Sequence, residues 1–357
     1  MAALRQLADP ATYRPCDWDL KTDARGRRYW VDLFRWHLDA VLVPLICDEY
    51  GPDRTALATF CEEYRRCFDD ISARPERFAR IDVLYFTEVR AALLYRHHFP
   101  DPFRKLKQQA NEIAGALLPS VLAELDAAAP PQQRDLLISG LMAGNLFDLG
   151  SRSTIDRQNE TNALFRQTRR QVPARPWFQD DLDAWWRRWD TRPTYRHAVF
   201  FVDNAGSDLL LGCLPFVRWM LQRGTRVTLA ANSRPALNDI TAAELTPLLA
   251  QYAAADTALS QALAARRLRV CETGCGTPLI DLTRLADNFV ATTTDADLLW
   301  LHGMGRAVES NYRARFTCDV VRTAVLKDEG VAAWLGGKLF DCLFCFRPTC
   351  EPCPRRG

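Results

Sequence analysis

Long hydrophobic runs are absent. The two longest, over residues 198–202 and 40–47, fall well short of the ~20 apolar residues a spanning helix needs. The N-terminus has no apolar signal core and carries Asp9, Asp17 and Asp19. Secretion is therefore not expected, and a cytoplasmic location is. An excess of one charge is also missing: 46 Lys and Arg stand against 44 Asp and Glu, interspersed, for a formal charge of +2. That excludes the basic stripe on which nucleic-acid binders rely. Neither a G-x-G-x-x-G nor a P-loop follows the first strand of the second half, which argues against a nucleotide-dependent transferase.

What is present suffices for a large core. Of the 357 residues 48% are apolar and 10% aromatic, so a disordered chain is excluded. The length fits two domains, or one with a large extension. Eight of the twelve cysteines (Cys16, Cys47, Cys61, Cys67, Cys213, Cys271, Cys275, Cys318) are scattered through apolar sequence and read as small buried hydrophobes. The other four, Cys342, Cys345, Cys350 and Cys353, spell C-x₂-C-x₄-C-x₂-C, the chemistry of a zinc or iron–sulfur site. The short central spacer opposes this. So does strand alternation, which would send Cys342 and Cys345 to opposite faces.

Two rhythms divide the chain. From about Tyr29 to Ile155 apolar residues recur at helical spacing, as in Trp30, Leu33, Phe34, Leu38 and Val41 or Leu84, Phe86, Val89, Leu93 and Leu94. Residues 1–170 are expected to be a helical domain, followed by a Trp- and Pro-rich junction over 171–195. Beyond it, β-rich runs at 197–202, 226–231, 267–271, 297–301 and 338–346 alternate with helical segments. This predicts an α/β domain over 196–347 with a mainly parallel sheet, then a cysteine-containing tail over 348–357.

Ligands of such sheets gather beyond the carboxyl ends of the strands. The first strand runs into Asp203-Asn204-Ala205-Gly206-Ser207-Asp208. Two oxygen-bearing side chains at a strand tip suit a hard divalent cation, or equally a turn and helix cap. After the second strand, Thr241 and Glu244 form a capping box, leaving Asp239 to face the same crevice. The fourth run leads into His302-Gly303-Met304-Gly305-Arg306, where Gly303 and Gly305 let backbone N–H groups approach an anion and Arg306 adds charge. Lys327 ends an apolar run and is a further candidate phosphate cation, against the default of a solvated lysine. In the helical half, the Gly144-Asn145 to Asp148-Leu149-Gly150 stretch interrupts an apolar helix, through a polar role or simple helix termination.

These segments resemble the metal-dependent damage-control phosphatases, and most closely the 4′-phosphopantetheine phosphatase subfamily found in pantothenate-kinase-like proteins. The likeness runs from about residue 80 to 346, through FVDNAGSDLLLGCLPFVRWMLQRGTRVTLAANSRPALNDIT, GMGRAVESNY, AVLKD, LGGKLF, DPFRKLKQQANE and LMAGNLFDLGS. With no kinase domain preceding it here, the chain looks like the stand-alone version. The resemblance implies a helical N-terminal domain and a three-layer α/β/α sandwich with a Rossmann-like sheet. It also implies one divalent metal ion (Mg, Mn, Co or Ni) on Asp203, Asn204 and Asp239. Asn145, Gly303, Gly305, Arg306 and Lys327 would bind the substrate phosphate, and Asp203, Asp208 and Asp148 would serve catalysis, the last two in proton transfer. The expected partner is a small phosphorylated metabolite: 4′-phosphopantetheine or its oxidised derivatives first, sugar phosphates next. Three departures, His302 for an expected glutamate and alanine at 91 and 110, open a rival reading as a non-catalytic phosphometabolite-binding module.

Overall fold

The computed structural model describes residues 1–51, 54–146 and 162–349. Helix α1 (Ala24–His37) starts at Asp23, whose carboxylate accepts the Arg25 and Gly26 N–H groups, and it buries Trp30, Phe34 and His37 on one stripe. Helices α2 (Val43–Tyr50) and α3 (Arg54–Ala73) follow. Helix α4 (Val83–Arg96) is capped by Asp82 and buries Phe86, Arg90 and Leu93. Helices α5 (Arg104–Ala127), α6 (Pro130–Leu146) and α7 (Asn162–Gln171) complete the helical half.

The seven-stranded sheet comprises β1 (Gln179–Asp180), β2 (His197–Phe201), β3 (Arg226–Ala231), β4 (Leu268–Glu272), β5 (Leu298–His302), β6 (Asp319–Val325) and β7 (Cys342–Arg347). Its order is β1-β7-β6-β5-β2-β3-β4, parallel throughout except where β7 runs antiparallel to β6. The mainly parallel α/β architecture expected from the alternation is thus what forms. Strand β6 was not foreseen because Asp319, Arg322 and Thr323 interrupt its apolar pattern. All three are buried, and the Arg322 guanidinium donates to the carbonyls of Asn311 (2.9 Å) and Ala314 (2.5 Å).

Strand alternation feeds two cores, one on each face. Ala198, Phe200, Val202 and Trp300 pack with α5, α6, α7, α8 (Leu182–Thr191) and α9 (Leu214–Gln222). Val199, Phe201, Leu299 and Leu301 pack with α1 to α4, α12 (Asp287–Thr292) and α13 (Glu329–Leu335). Two further helices, α10 (Ala242–Ala253) and α11 (Thr257–Ala264), join the first core. The helical half therefore contributes to both outer layers and shares its cores with the sheet. The 171–195 stretch, expected at a junction, is built into the sandwich. Its β1 pairs with β7, and its fully buried Trp185 lies edge-on to Trp300 (5.3 Å) and Phe346 (5.4 Å). Among the described residues no helix is long and apolar enough to cross a membrane.

Candidate active site

Strand β2 delivers Asp203 and Asn204 directly from the sheet edge, and the loop after β3 is zipped alongside. Ala205 N–H donates to the Asn238 carbonyl (2.9 Å) and Ile240 N–H to the Asp203 carbonyl (3.0 Å). The expected capping box of Thr241 and Glu244 starts α10 immediately beyond and fixes the loop's far end. As a result Asp203, Asn204 and Asp239, all buried, line one cavity of about 470 Å³. Lys327, just past β6, lines it too, with its Nζ donating to the Asn145 carbonyl (2.8 Å).

Behind this wall lies a closed hydrogen-bond network. The Asn145 amide donates to Asp203 (3.2 Å) and Asp208 (3.3 Å) and its oxygen accepts the Val325 N–H (3.1 Å), tying α6 to β2 and β6. Asp208 also accepts the Asn204 N–H (3.1 Å) and amide (3.2 Å), and lies 2.7 Å from His302 Nε2. The other ring nitrogen of His302 is 2.7 Å from Thr323 Oγ1. Burial raises the Asp208 carboxyl, yet His302, Lys327 and the Asn204 N–H outweigh it and hold it below the ordinary range. For Asp203 burial wins, with help from Asp239 and Asp208, and its carboxyl is pushed up despite Arg306 and Lys327.

Several expected roles change. Arg306 is not presented to a phosphate, since its fork is taken by Asp203 (2.5 Å), Asp239 (2.7 Å) and Asn232 (3.2 Å), and it is 1% exposed. Gly303 serves Asp203 instead of an anion: at φ +87° it has no room for a side chain, since a Cβ would lie 2.0 Å from the Asp203 carboxylate. Gly305 does line the cavity, and a Cβ there would lie 2.7 Å from the Pro278 carbonyl, so packing also requires the glycine. Asn145 and Asp208, expected to meet the substrate, are fully buried and do not line the cavity. Asp148 lies outside the described residues.

The cavity wall suits a hard divalent cation. Asp203, Asn204 and Asp239 offer carboxylate and amide oxygens. A second group, Asp208, Cys213 and His302, brings one donor atom each within 4.8 Å. It is less suited, because Asp208 and His302 already bond each other and burial pushes the Cys213 thiol well up. The cysteine-tail site fails on geometry: Cys342 faces one core and Cys345 the other, so one ion cannot take both, and Cys350 and Cys353 lie outside the described residues.

Sequence reasoning missed Arg90 and His37, which line the same cavity. The signal was there. Arg90 falls on the Phe86–Leu93 stripe of α4 and His37 on the Trp30–Phe34 stripe of α1, polar residues at positions where helices bury their apolar face.

Residues 46–343 match the model of the damage-control phosphatase ARMT1-like domain. The chain belongs to this family. It is 35% identical to a damage-control phosphatase of Arabidopsis thaliana, over 89% of this chain and 87% of that one. It is 30% identical to the 4′-phosphopantetheine phosphatase of Mus musculus, over 95% of this chain and 47% of that protein. Against the plant pantothenate kinases it also matches, the chain spans 41% of their length. The crystal structure of a DUF89 family protein from Pyrococcus horikoshii superposes with a TM-score of 0.56 at 14% identity, covering 91% of this chain and 98% of that one, a likeness of fold. This damage-control phosphatase domain thus carries its wall of acidic strand ends where α/β folds place their ligands.

Proposed function

We propose that the chain is a metal-dependent phosphatase of a small phosphomonoester, with 4′-phosphopantetheine or its oxidised derivatives as the leading substrates. The observation that carries this is the convergence of Asp203, Asn204, Asp239 and Lys327 on one cavity. Bound by the first three, a divalent cation would supply Lewis-acid polarisation of a phosphoryl oxygen and lower the pKa of water. The chain's own residues do the rest. Lys327 presents a fixed ammonium to the phosphoryl group, and Arg306 holds the two carboxylates in register before substrate arrives. Asn145 and Asp208 fix the Asn204 amide.

Trp30, Leu33, Phe34, Val83 and Leu339 give the cavity an apolar side that suits a hydrocarbon-bearing tail better than the hydroxyl-rich ring of a sugar phosphate. The binding-module reading rested on the departures at His302, Ala91 and Ala110, and none of these lines the cavity: Ala110 packs against the Gly206 turn and His302 braces Asp208. A cytoplasmic enzyme of phosphometabolite repair fits these features. The test is hydrolysis of a phosphometabolite panel with Mg²⁺, Mn²⁺, Co²⁺ or Ni²⁺, by the native chain and by Asp203→Ala. Metal-dependent turnover lost in the folded variant is expected; full activity in Asp203→Ala would refute the assignment.

A further inference from the structure

We propose that Arg90, assisted by His37, receives the substrate's phosphoryl oxygens inside the cavity alongside Lys327. This rests on the phosphatase reading and names a subsite of it. Arg90 rises from the buried stripe of α4, is 6% exposed, and lines the cavity with Asp203, Asn204 and Asp239. Its guanidinium carbon lies 4.8 Å from the Phe34 ring centroid. Among the described residues no carboxylate, carbonyl or hydroxyl accepts a hydrogen bond from it. The other cations nearby are engaged: the Arg306 fork by Asp203, Asp239 and Asn232, and Lys327 by the Asn145 carbonyl.

A buried guanidinium whose five donors meet no acceptor, with an aromatic face against it and the Asp239 and Glu309 charges acting only through space, is a costly arrangement for the empty protein. The ring attracts the charge but accepts no in-plane N–H. An oxyanion entering the cavity removes that cost, and a tetrahedral phosphoryl group with several acceptors matches the planar fork.

His37 is the independent second observation. It is 4% exposed, lines the same cavity, and neither ring nitrogen has a hydrogen-bond partner. Its ring stacks on Phe103 at 6.4 Å between centroids. Burial, then the Arg90 charge, pushes it well below the ordinary histidine range, so it is neutral and offers one N–H donor and one acceptor. Two polar side chains from different helices, both buried and one of them with neither ring nitrogen bonded, therefore open onto one space. The sequence placed them there at the expense of stability, the usual mark of a binding group.

The experiment is calorimetric titration of inorganic phosphate, with acetate as a second oxyanion, into the Mg²⁺-equilibrated native chain and into Arg90→Met, Arg90→Lys and His37→Gln. Phosphate affinity is expected to fall at least about tenfold in Arg90→Met and about threefold in His37→Gln, as loss of charge-assisted and neutral hydrogen bonds implies. Arg90→Lys keeps the charge without the fork and should recover only part of the loss. If Arg90→Met does not fold, Arg90→Lys decides, and native affinity in that variant overturns the proposal. Native phosphate affinity in folded Arg90→Met overturns it as well. So does a loss confined to acetate, which would assign Arg90 to a carboxylate. Phosphate binding that depends on Arg90 in a chain that hydrolyses nothing would sink the phosphatase reading alone, whereas native KM in Arg90→Met would sink this one alone.

Discussion

Arg306 and Asp203 form a buried ion pair (2.5 Å), and the same guanidinium reaches Asp239 at 2.7 Å. One cation thus stands between the two carboxylates expected to hold a metal. Burial lowers the guanidinium's proton affinity, but Asp239 and Asp203 outweigh it, so Arg306 stays charged. Removing it leaves two buried carboxylates facing each other. Arg306→Leu should lose about 3–5 kcal/mol of stability, the cost of orphaning a buried charge. Thermal melts with and without Mn²⁺ check this. The variant should regain more stability from the ion than the native chain does, and equal melting temperatures throughout would show that Arg306 is not the clasp.

Acidification provides a second test. Burial lowers the pKa of His37 well below its ordinary value, and of His197, which lies 2.8 Å from Thr228 Oγ1 and 2.9 Å from Asp295. Both are favoured as neutral rings in the fold, whereas the unfolded chain takes up a proton near pH ~6.5. The sign follows: their contribution is complete above that pH and is lost as pH falls toward the lower folded values, by about 1.4 kcal/mol per pH unit for each proton. Denaturant titrations at stepped pH should show this decline. His37→Gln cannot take up the proton and should decline less steeply below pH ~6.5; an unchanged slope would mean that His37 is charged in the native state.

Much of this was legible because local chemistry and global fold agree. The run into Asp203-Asn204 and the Thr241–Glu244 box are short-range signals, and they fixed two loops of the site before any contact was known. Arg306 was misread because a glycine-flanked arginine at a strand end looks the same whether it meets phosphate or carboxylate. Only the pairing of β5 beside β2 decides, and that is a long-range fact. Strand β6 was hidden by buried Arg322 and Asp319, whose partners lie elsewhere in the chain. The opposite faces of Cys342 and Cys345, by contrast, follow from strand alternation alone, and the two cores confirm them.

His302 carries the last prediction. It touches Asp208 and Thr323, and Asp208 in turn grips Asn204 through both its backbone N–H and its amide. The imidazole therefore acts on the cavity at one remove, as a positioning residue. In His302→Leu the Asp208 carboxylate is left buried without its strongest partner, and it should turn or protonate, releasing Asn204. Mn²⁺ affinity followed by electron paramagnetic resonance should drop about tenfold, the equivalent of ~1.4 kcal/mol, while phosphate affinity at saturating metal stays near native. His302→Gln retains a donor toward Asp208 and should recover most of the loss. A merely structural histidine would instead lower the melting temperature in both variants and leave metal affinity where it was.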